Sequence, residues 1–228
     1  MKKWRPAVAE LVGTFGFVFI GAGSIITDIY SKGSVGLIGI ALAHGLILSV
    51  MVTAFMSASG GQLNPAVTIG LVIAKKQKLR DIGPLILGQL IGSTMAAYIL
   101  RELFAPSVWK QVHLGTPGLD PSLNGLTAFG IEAILTFILM TAVLGTAVDS
   151  RAPKIGGFGI GMTVAAEILL AGPITGASMN PARSFGPALM SGYWEDHWLY
   201  WVAPIVGAWA AAWIYREFTA SPPVKENQ

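Results

Sequence analysis

The tripeptide Asn-Pro-Ala occurs twice in this chain of 228 residues, at Asn64-Pro65-Ala66 and at Asn180-Pro181-Ala182. An Asn side chain can cap a helix N-terminus, and Pro is tolerated in the first turn because its missing N–H would have no partner there. Each tripeptide therefore predicts the start of a helix. The predicted helices, Val67 to about Ala74 and Arg183 to about Met190, are too short to cross a hydrocarbon core of about 30 Å. Two half-helices meeting at their N-termini would cross it together, and their partial positive charges would repel any cation at the meeting point.

The segments that lead into the two tripeptides have no helical pattern. They are Gly60, Gly61, Gln62 and Leu63 before the first, and Gly176, Ala177, Ser178 and Met179 before the second. Irregular backbone at membrane depth is tolerated only where protein buries it or where it lines a water-filled cavity. We therefore expect their carbonyls to form a ladder of acceptors along one wall of a pore. The alternative is that both segments are helix connectors buried for packing.

The elements that would hold these segments are predicted from composition. The chain is 53% hydrophobic and 12% charged, with a mean hydropathy of +0.62, whereas soluble domains are about 25% charged. This predicts an all-α membrane protein with six transmembrane helices plus the two re-entrant half-helices. The predicted spans are Ala7–Thr27, Val35–Met56, Ile82–Leu103, Leu126–Val148, Gly156–Ala171 and Trp198–Tyr215.

An internal repeat supports this arrangement. Glu10 and Thr14 stand four residues apart at the start of the first span, and Glu132 and Thr136 stand four apart at the start of the fourth. Each repeat, about residues 6–104 and 126–218, holds three spans and one half-helix. Because three crossings are an odd number, the second copy is inverted relative to the first. We predict one channel domain over residues 1–218, followed by a polar, disordered tail over residues 219–228.

The basic residues predict the orientation. Eleven of the fifteen fall in segments that share one side: Lys2, Lys3, Arg5, Lys75, Lys76, Lys78, Arg80, Arg151, Lys154, Arg216 and Lys225. The positive-inside rule then places both termini in the cytoplasm. These charges flank spans and form no continuous basic face, which argues against nucleic acid as a partner. The absence of cysteine excludes disulfides, thiol nucleophiles and thiolate metal sites.

The two Asn-Pro-Ala boxes, the paired Glu-x-x-x-Thr and Arg183 after the second box resemble the aquaporin (major intrinsic protein) family, over about residues 6–218. The resemblance implies a passive water channel in the cell membrane that excludes protons and ions. It also implies a homotetramer with one pore per subunit, with no enzyme activity, no catalytic residue, no cofactor and no metal. Glu10 and Glu132 would be buried acceptors for the two loops. Their alternative role is a proton relay in a coupled secondary transporter.

By the same resemblance, the narrowest ring of the pore consists of His44, Ile168, Ala177 and Arg183. Water-only members have Phe where this chain has His44 and His where it has Ile168. The combination found here is similar to that of plant tonoplast-type aquaporins, several of which also pass ammonia or urea. We therefore expect a second small neutral solute, most readily ammonia.

The alternative function is that of a facilitator for glycerol or another small solute. Glycerol-passing members carry Asp after the arginine and a Pro-Leu pair before the last span, whereas this chain has Ser184, Ala188 and Tyr200-Trp201 and so resembles the water channels. A coupled transporter would lose flux when ion gradients collapse. An intramembrane enzyme is the remotest alternative, because no His-Glu-x-x-His, Gly-x-Ser-x-Gly or phosphate-loop motif occurs.

Overall fold

A computed structural model describes residues 4–151 and 155–219 of the protein. Within those ranges the chain is helical and has no strand, as predicted. The helices are α1 Arg5–Tyr30, α2 Gly36–Ser59, α3 Pro65–Ile73, α4 Ile82–Leu103, α5 Pro106–Trp109, α6 Gly125–Val143, α7 Phe158–Thr175, α8 Pro181–Ser191 and α9 Leu199–Ile214. Of the predicted tail over residues 219–228, only Thr219 is described, as the end of a π-helical turn. The predicted cytoplasmic residues Lys2, Lys3, Lys154 and Lys225 lie outside the described residues.

Five helices in the described ranges are long and apolar enough to cross a membrane. They cover Arg5–Tyr30, Gly36–Ser59, Leu79–Leu103, Gly125–Val148 and Phe158–Thr175. The predicted sixth span corresponds to α9, whose 16 residues reach only about 24 Å. It is shorter than predicted because Trp198 is its N-cap and because the helix widens into a π-helical turn at Tyr215–Thr219.

Glycines bring the membrane helices into backbone contact. A Cβ atom at Gly88 or Gly92 of α4 would overlap a backbone carbonyl of α1, and one at Gly207 of α9 would overlap the Ala133 carbonyl of α6. Small residues at such crossings allow the close van der Waals packing on which helix association in a bilayer depends. The pairs α1–α4 and α6–α9 are accordingly the most extensive helix contacts of their respective repeats.

The helix contacts confirm the inverted repeat. The repeat relates α1, α2, α3 and α4 to α6, α7, α8 and α9 in that order, and each contact has its counterpart. The pair α1–α2 matches α6–α7, and α4–α8 matches α9–α3. The pairs α2–α7 and α3–α8 each match themselves, so the pseudo-twofold axis runs between them. The two half-helices therefore meet at the centre of the molecule.

Candidate pore

Both half-helices begin at their Asn-Pro-Ala boxes. Pro65 and Pro181 occupy the first turn of α3 and α8, and the preceding Asn residues are the N-caps. The Asn64 Oδ1 atom accepts hydrogen bonds from the backbone N–H groups of Ala66 at 2.9 Å and Val67 at 3.5 Å. Asn180 Oδ1 likewise accepts from Ala182 and Arg183, at 3.0 and 3.2 Å. The helices begin two residues earlier than predicted because Pro fits the first helical position.

The two boxes are also bonded to each other across the repeat axis. Asn64 Nδ2 donates to the Met179 carbonyl at 2.9 Å, and Asn180 Nδ2 donates to the Leu63 carbonyl at 2.8 Å. Leu63 and Met179 both have a φ of 51°, which turns their carbonyls out of line with the following helix. Each amide therefore has one N–H engaged by the opposite loop. The other N–H of each amide has no acceptor among the described residues, and both Asn residues line the cavity described below.

Two buried carboxylates hold the loops. Glu10 accepts from the backbone N–H groups of Gln62 at 2.9 Å and Leu63 at 2.6 Å, and Glu132 accepts from those of Ser178 at 2.9 Å and Met179 at 2.8 Å. The hydroxyls of Ser59 and Thr175 add a further bond to each carboxylate, at 2.6 and 2.8 Å. Neither Glu lines either of the cavities described next.

Two cavities meet at the predicted ring. One, of about 370 Å³, is lined by both Asn residues and extends to Lys76 and Gln77. The other, of about 400 Å³, is lined by Asp28 of α1 and by the loop between α5 and α6. We call them the inner and the outer cavity. His44, Ile168 and Arg183 line both, so these three side chains form the wall that the cavities share. Ala177, the fourth predicted ring residue, lines the inner cavity.

Most of the predicted carbonyl ladder borders the inner cavity. Six of its residues line it, namely Gly60, Gly61, Gln62, Ala177, Ser178 and Met179. Gly176 lines the outer cavity instead. Leu63 lines neither cavity, because it is fully buried and its carbonyl accepts from Asn180. The rest of the inner wall is mainly apolar and includes Leu48, Val52, Leu139, Val143 and Val164.

The shared wall depends on neighbours that the sequence did not indicate. The His44 Nδ1 atom lies 2.9 Å from the Ile40 carbonyl, so Nδ1 carries the hydrogen. Its ring packs so closely on α1 that a Cβ atom at Gly21 would come within 2.6 Å of Cδ2. Arg183 Nη1 donates to the Gly115 carbonyl at 2.7 Å. Gly115 ends a loop with left-handed backbone, and no local motif marks it as a partner of Arg183.

Known proteins resemble this chain along almost its whole length. The family described as "Major intrinsic protein" matches residues 1–215. "Aquaporin TIP4-4" of Zea mays is 43% identical over 219 residues, which cover 92% of this chain and 85% of that protein. "Nodulin-26" of Glycine max is 41% identical over 213 residues, covering 93% and 77%. The X-ray structure of the aquaglyceroporin from Plasmodium falciparum superposes with a TM-score of 0.82 at 25% identity, covering 96% of this chain and 98% of that one.

Proposed function

Because this chain belongs to the major intrinsic protein family, whose members are passive channels for small neutral solutes and not enzymes, we propose that it is a water channel that excludes protons and ions and also passes ammonia. The observation that carries the proposal is the arrangement of two cavities on either side of one group of side chains. Two cavities of about 370 and 400 Å³ share a wall of His44, Ile168 and Arg183, which we assign as the selectivity filter together with Ala177.

Exclusion of ions follows from the charges along the proposed route through these cavities. At the repeat axis the N-termini of α3 and α8 each contribute about half a positive charge, and Asn64 and Asn180 each keep one N–H for a solute oxygen. Arg183 is buried, and within residues 4–151 and 155–219 its side chain has a single hydrogen bond, to Gly115, and no ion pair. A cation therefore meets two positive regions in succession, whereas a neutral water molecule is not repelled there and can accept hydrogen bonds from these donors.

Passage of water follows from the two kinds of wall. The loop carbonyls supply acceptors on one side, while the apolar helices supply none on the other. Water can thus exchange one acceptor for the next with little change in free energy, since it never loses all its hydrogen bonds at once.

Ammonia is the second solute because of the filter chemistry. Since Nδ1 of His44 is engaged with Ile40, the Nε2 atom of the neutral imidazole is an acceptor; it is buried beside Gly21 and has no partner among the described residues, so a small rotation of the ring would present it to a solute. Ile168 is apolar and offers neither donor nor acceptor. Glycerol is the alternative solute, favoured by the similarity to a solved aquaglyceroporin. Against glycerol stand Ser184 and Ala188, both fully buried in α8, which follow the water-channel pattern.

We extend the proposal to the setting of the channel. Basic residues at the Lys76 end of the route support a cytoplasmic inner cavity and cytoplasmic termini in a cell membrane. Large apolar side chains exposed around the helices suit contact with lipid and with further copies of the chain, as a homotetramer requires.

Stopped-flow light scattering on proteoliposomes tests the function. We expect fast shrinkage under an osmotic step, fast internal alkalinisation with ammonia and slow entry of glycerol, while an imposed pH gradient persists. The double variant His44→Phe with Ile168→His should keep water flux and lose most ammonia flux. Rapid collapse of the pH gradient would contradict proton exclusion, and equal ammonia flux in both proteins would contradict the filter assignment. Loss of solute flux on collapsing ion gradients would indicate a coupled transporter instead.

A further inference from the structure

A third cavity, of about 500 Å³, lies at the end of α4 and shares no lining residue with the inner or outer cavity. We call it the α4 cleft, and its lining includes Arg101, Glu102, Phe104, Trp109 and Lys110. It is therefore separate from the solute route. Its position, where a membrane helix ends and a loop begins, is that of a membrane–water interface.

Two cations converge on one indole in this cleft. The Arg101 guanidinium carbon and the Lys110 Nζ atom each lie 5.7 Å from the centre of the Trp109 ring. Neither cation is ion-paired within the described ranges, although the exposed Glu102 also lines the cleft. Trp109 is only 7% exposed, and its indole N–H has no acceptor in the described part of the chain. Two cations that line one cleft, together with a buried indole N–H that has no acceptor among the described residues, are complementary to an anion with several oxygens.

An apolar strip leads along α4 to the cleft. Leu87, Ile91, Met95 and Tyr98 are all exposed, and their spacing of four, four and three residues places them on one face of the helix. From Leu87 to Tyr98 this face is about 17 Å long at about 1.5 Å per residue. That length matches one leaflet of a hydrocarbon core about 30 Å thick. The anion that fits the cleft is thus one attached to an acyl chain.

We propose that the α4 cleft binds the phosphate of a membrane phospholipid whose acyl chain lies along Leu87, Ile91, Met95 and Tyr98. Arg101 connects this site to the second half-helix, because its Nη1 atom also donates to the Met190 carbonyl in the last turn of α8, at 3.1 Å. A bound phosphate holds the guanidinium in place and so stabilises the attachment of α8 to α4. Lipid removal is expected to lower the thermal unfolding temperature.

Native mass spectrometry of the full-length protein, purified in detergent and titrated with dioleoylphosphatidylglycerol, tests this site. We expect saturable binding in the native protein and about tenfold weaker binding in Arg101→Gln with Lys110→Gln, in which two charged donors are lost. The matched control removes two charges at the other end of α4, as Lys78→Gln with Arg80→Gln, and should retain the native affinity. Lys110→Gln alone, which leaves the bond to Met190 intact, should weaken binding by a smaller factor if the double variant fails to fold.

Two further ligands test whether binding needs both the phosphate and the acyl chains. Dioleoylglycerol, which has the chains without the phosphate, and inorganic phosphate, which has no chain, should each bind far more weakly than the phospholipid. Native affinity in both cleft variants, or equal binding of dioleoylglycerol, would overturn the phosphate site. Displacement of the lipid by inorganic phosphate at a comparable concentration would show an anion site that does not recognise lipid, and would overturn the proposal as well.

Discussion

Replacing Gly21 with alanine is expected to push the His44 ring into the route between the two cavities. A Cβ atom at Gly21 would lie 2.6 Å from Cδ2 and 2.7 Å from Nε2 of His44. Ordinary van der Waals contact begins at about 3.4 Å, so the ring must move about 0.8 Å away from α1. Because His44 forms the shared wall with Ile168 and Arg183, this displacement narrows the passage.

The size of the expected loss of water permeability depends on how firmly the His44 ring is held in place. His44 is bonded through Nδ1 to the Ile40 carbonyl at 2.9 Å, and the edge of Phe17 packs against it at 6.0 Å between ring centres. Overpacking at such a site costs about 1–3 kcal/mol. If that free energy is added to the barrier for passage, water permeability falls about 5- to 150-fold, since about 1.4 kcal/mol corresponds to a factor of ten.

The assay is stopped-flow water permeability per reconstituted protein, with Gly23→Ala as the matched control. Both positions lie within α1 and gain about 1 kcal/mol of helix propensity from alanine. A Cβ atom at Gly23 meets only Leu100 Cδ2, at 3.3 Å, which a small side-chain shift relieves. The control should therefore conduct like the native protein. Native permeability in Gly21→Ala, at an unchanged thermal unfolding temperature, would refute the assignment of His44 to the constriction.

Three more predictions concern the filter, the loop anchors and pH. Ala177 is 1% exposed and lines the inner cavity, and the chain has no cysteine. Ala177→Cys should therefore make water flux sensitive to mercurials, and a thiol reductant should restore the flux. Normal flux in the labelled variant would place Ala177 outside the constriction. Glu132→Gln should destabilise the protein by about 3 kcal/mol in detergent unfolding, because the amide has only one oxygen and cannot accept from the backbone N–H groups of both Ser178 and Met179 as the carboxylate does. Native stability in this variant would mean that the carboxylate does not anchor the loop. Burial lowers the pKa of His197 below its unfolded value of about 6.5, so the stability that it contributes is complete above pH 6.5 and is lost as the pH falls through the folded-state pKa. The unfolding temperature of His197→Gln should thus fall less between pH 7.5 and 5.5 than that of the native protein or of the control His113→Gln, and parallel curves for all three would contradict this.

Much of the architecture could be predicted from the sequence because its signals are local. Capping by Asn64 and Asn180 depends on neighbours two or three residues away. The apolar spans need only a count of residues against the membrane thickness. The Glu residues at the starts of the first and fourth spans indicated the repeat, and the repeat indicated the inversion. The largest error at a helix end was in the span predicted as Leu126–Val148, because hydropathy does not distinguish the α-helix, which ends at Val143, from the π-helical turn at Leu144–Val148.

The contacts that shape the pore were decided only by the tertiary structure. Asn64 and Asn180 each donate to a carbonyl more than a hundred residues away, so the sequence could suggest that their amides reach the lumen but not that the opposite loop engages one N–H of each. Arg183 is bonded to Gly115, 68 residues earlier, in a loop without a recognisable motif. Such contacts depend on ångström-scale helix packing, which glycines such as Gly21 permit and which no local pattern records. Composition, capping and repetition thus determine a membrane fold with two facing half-helices, while the width and chemistry of the passage between them depend on how the helices pack.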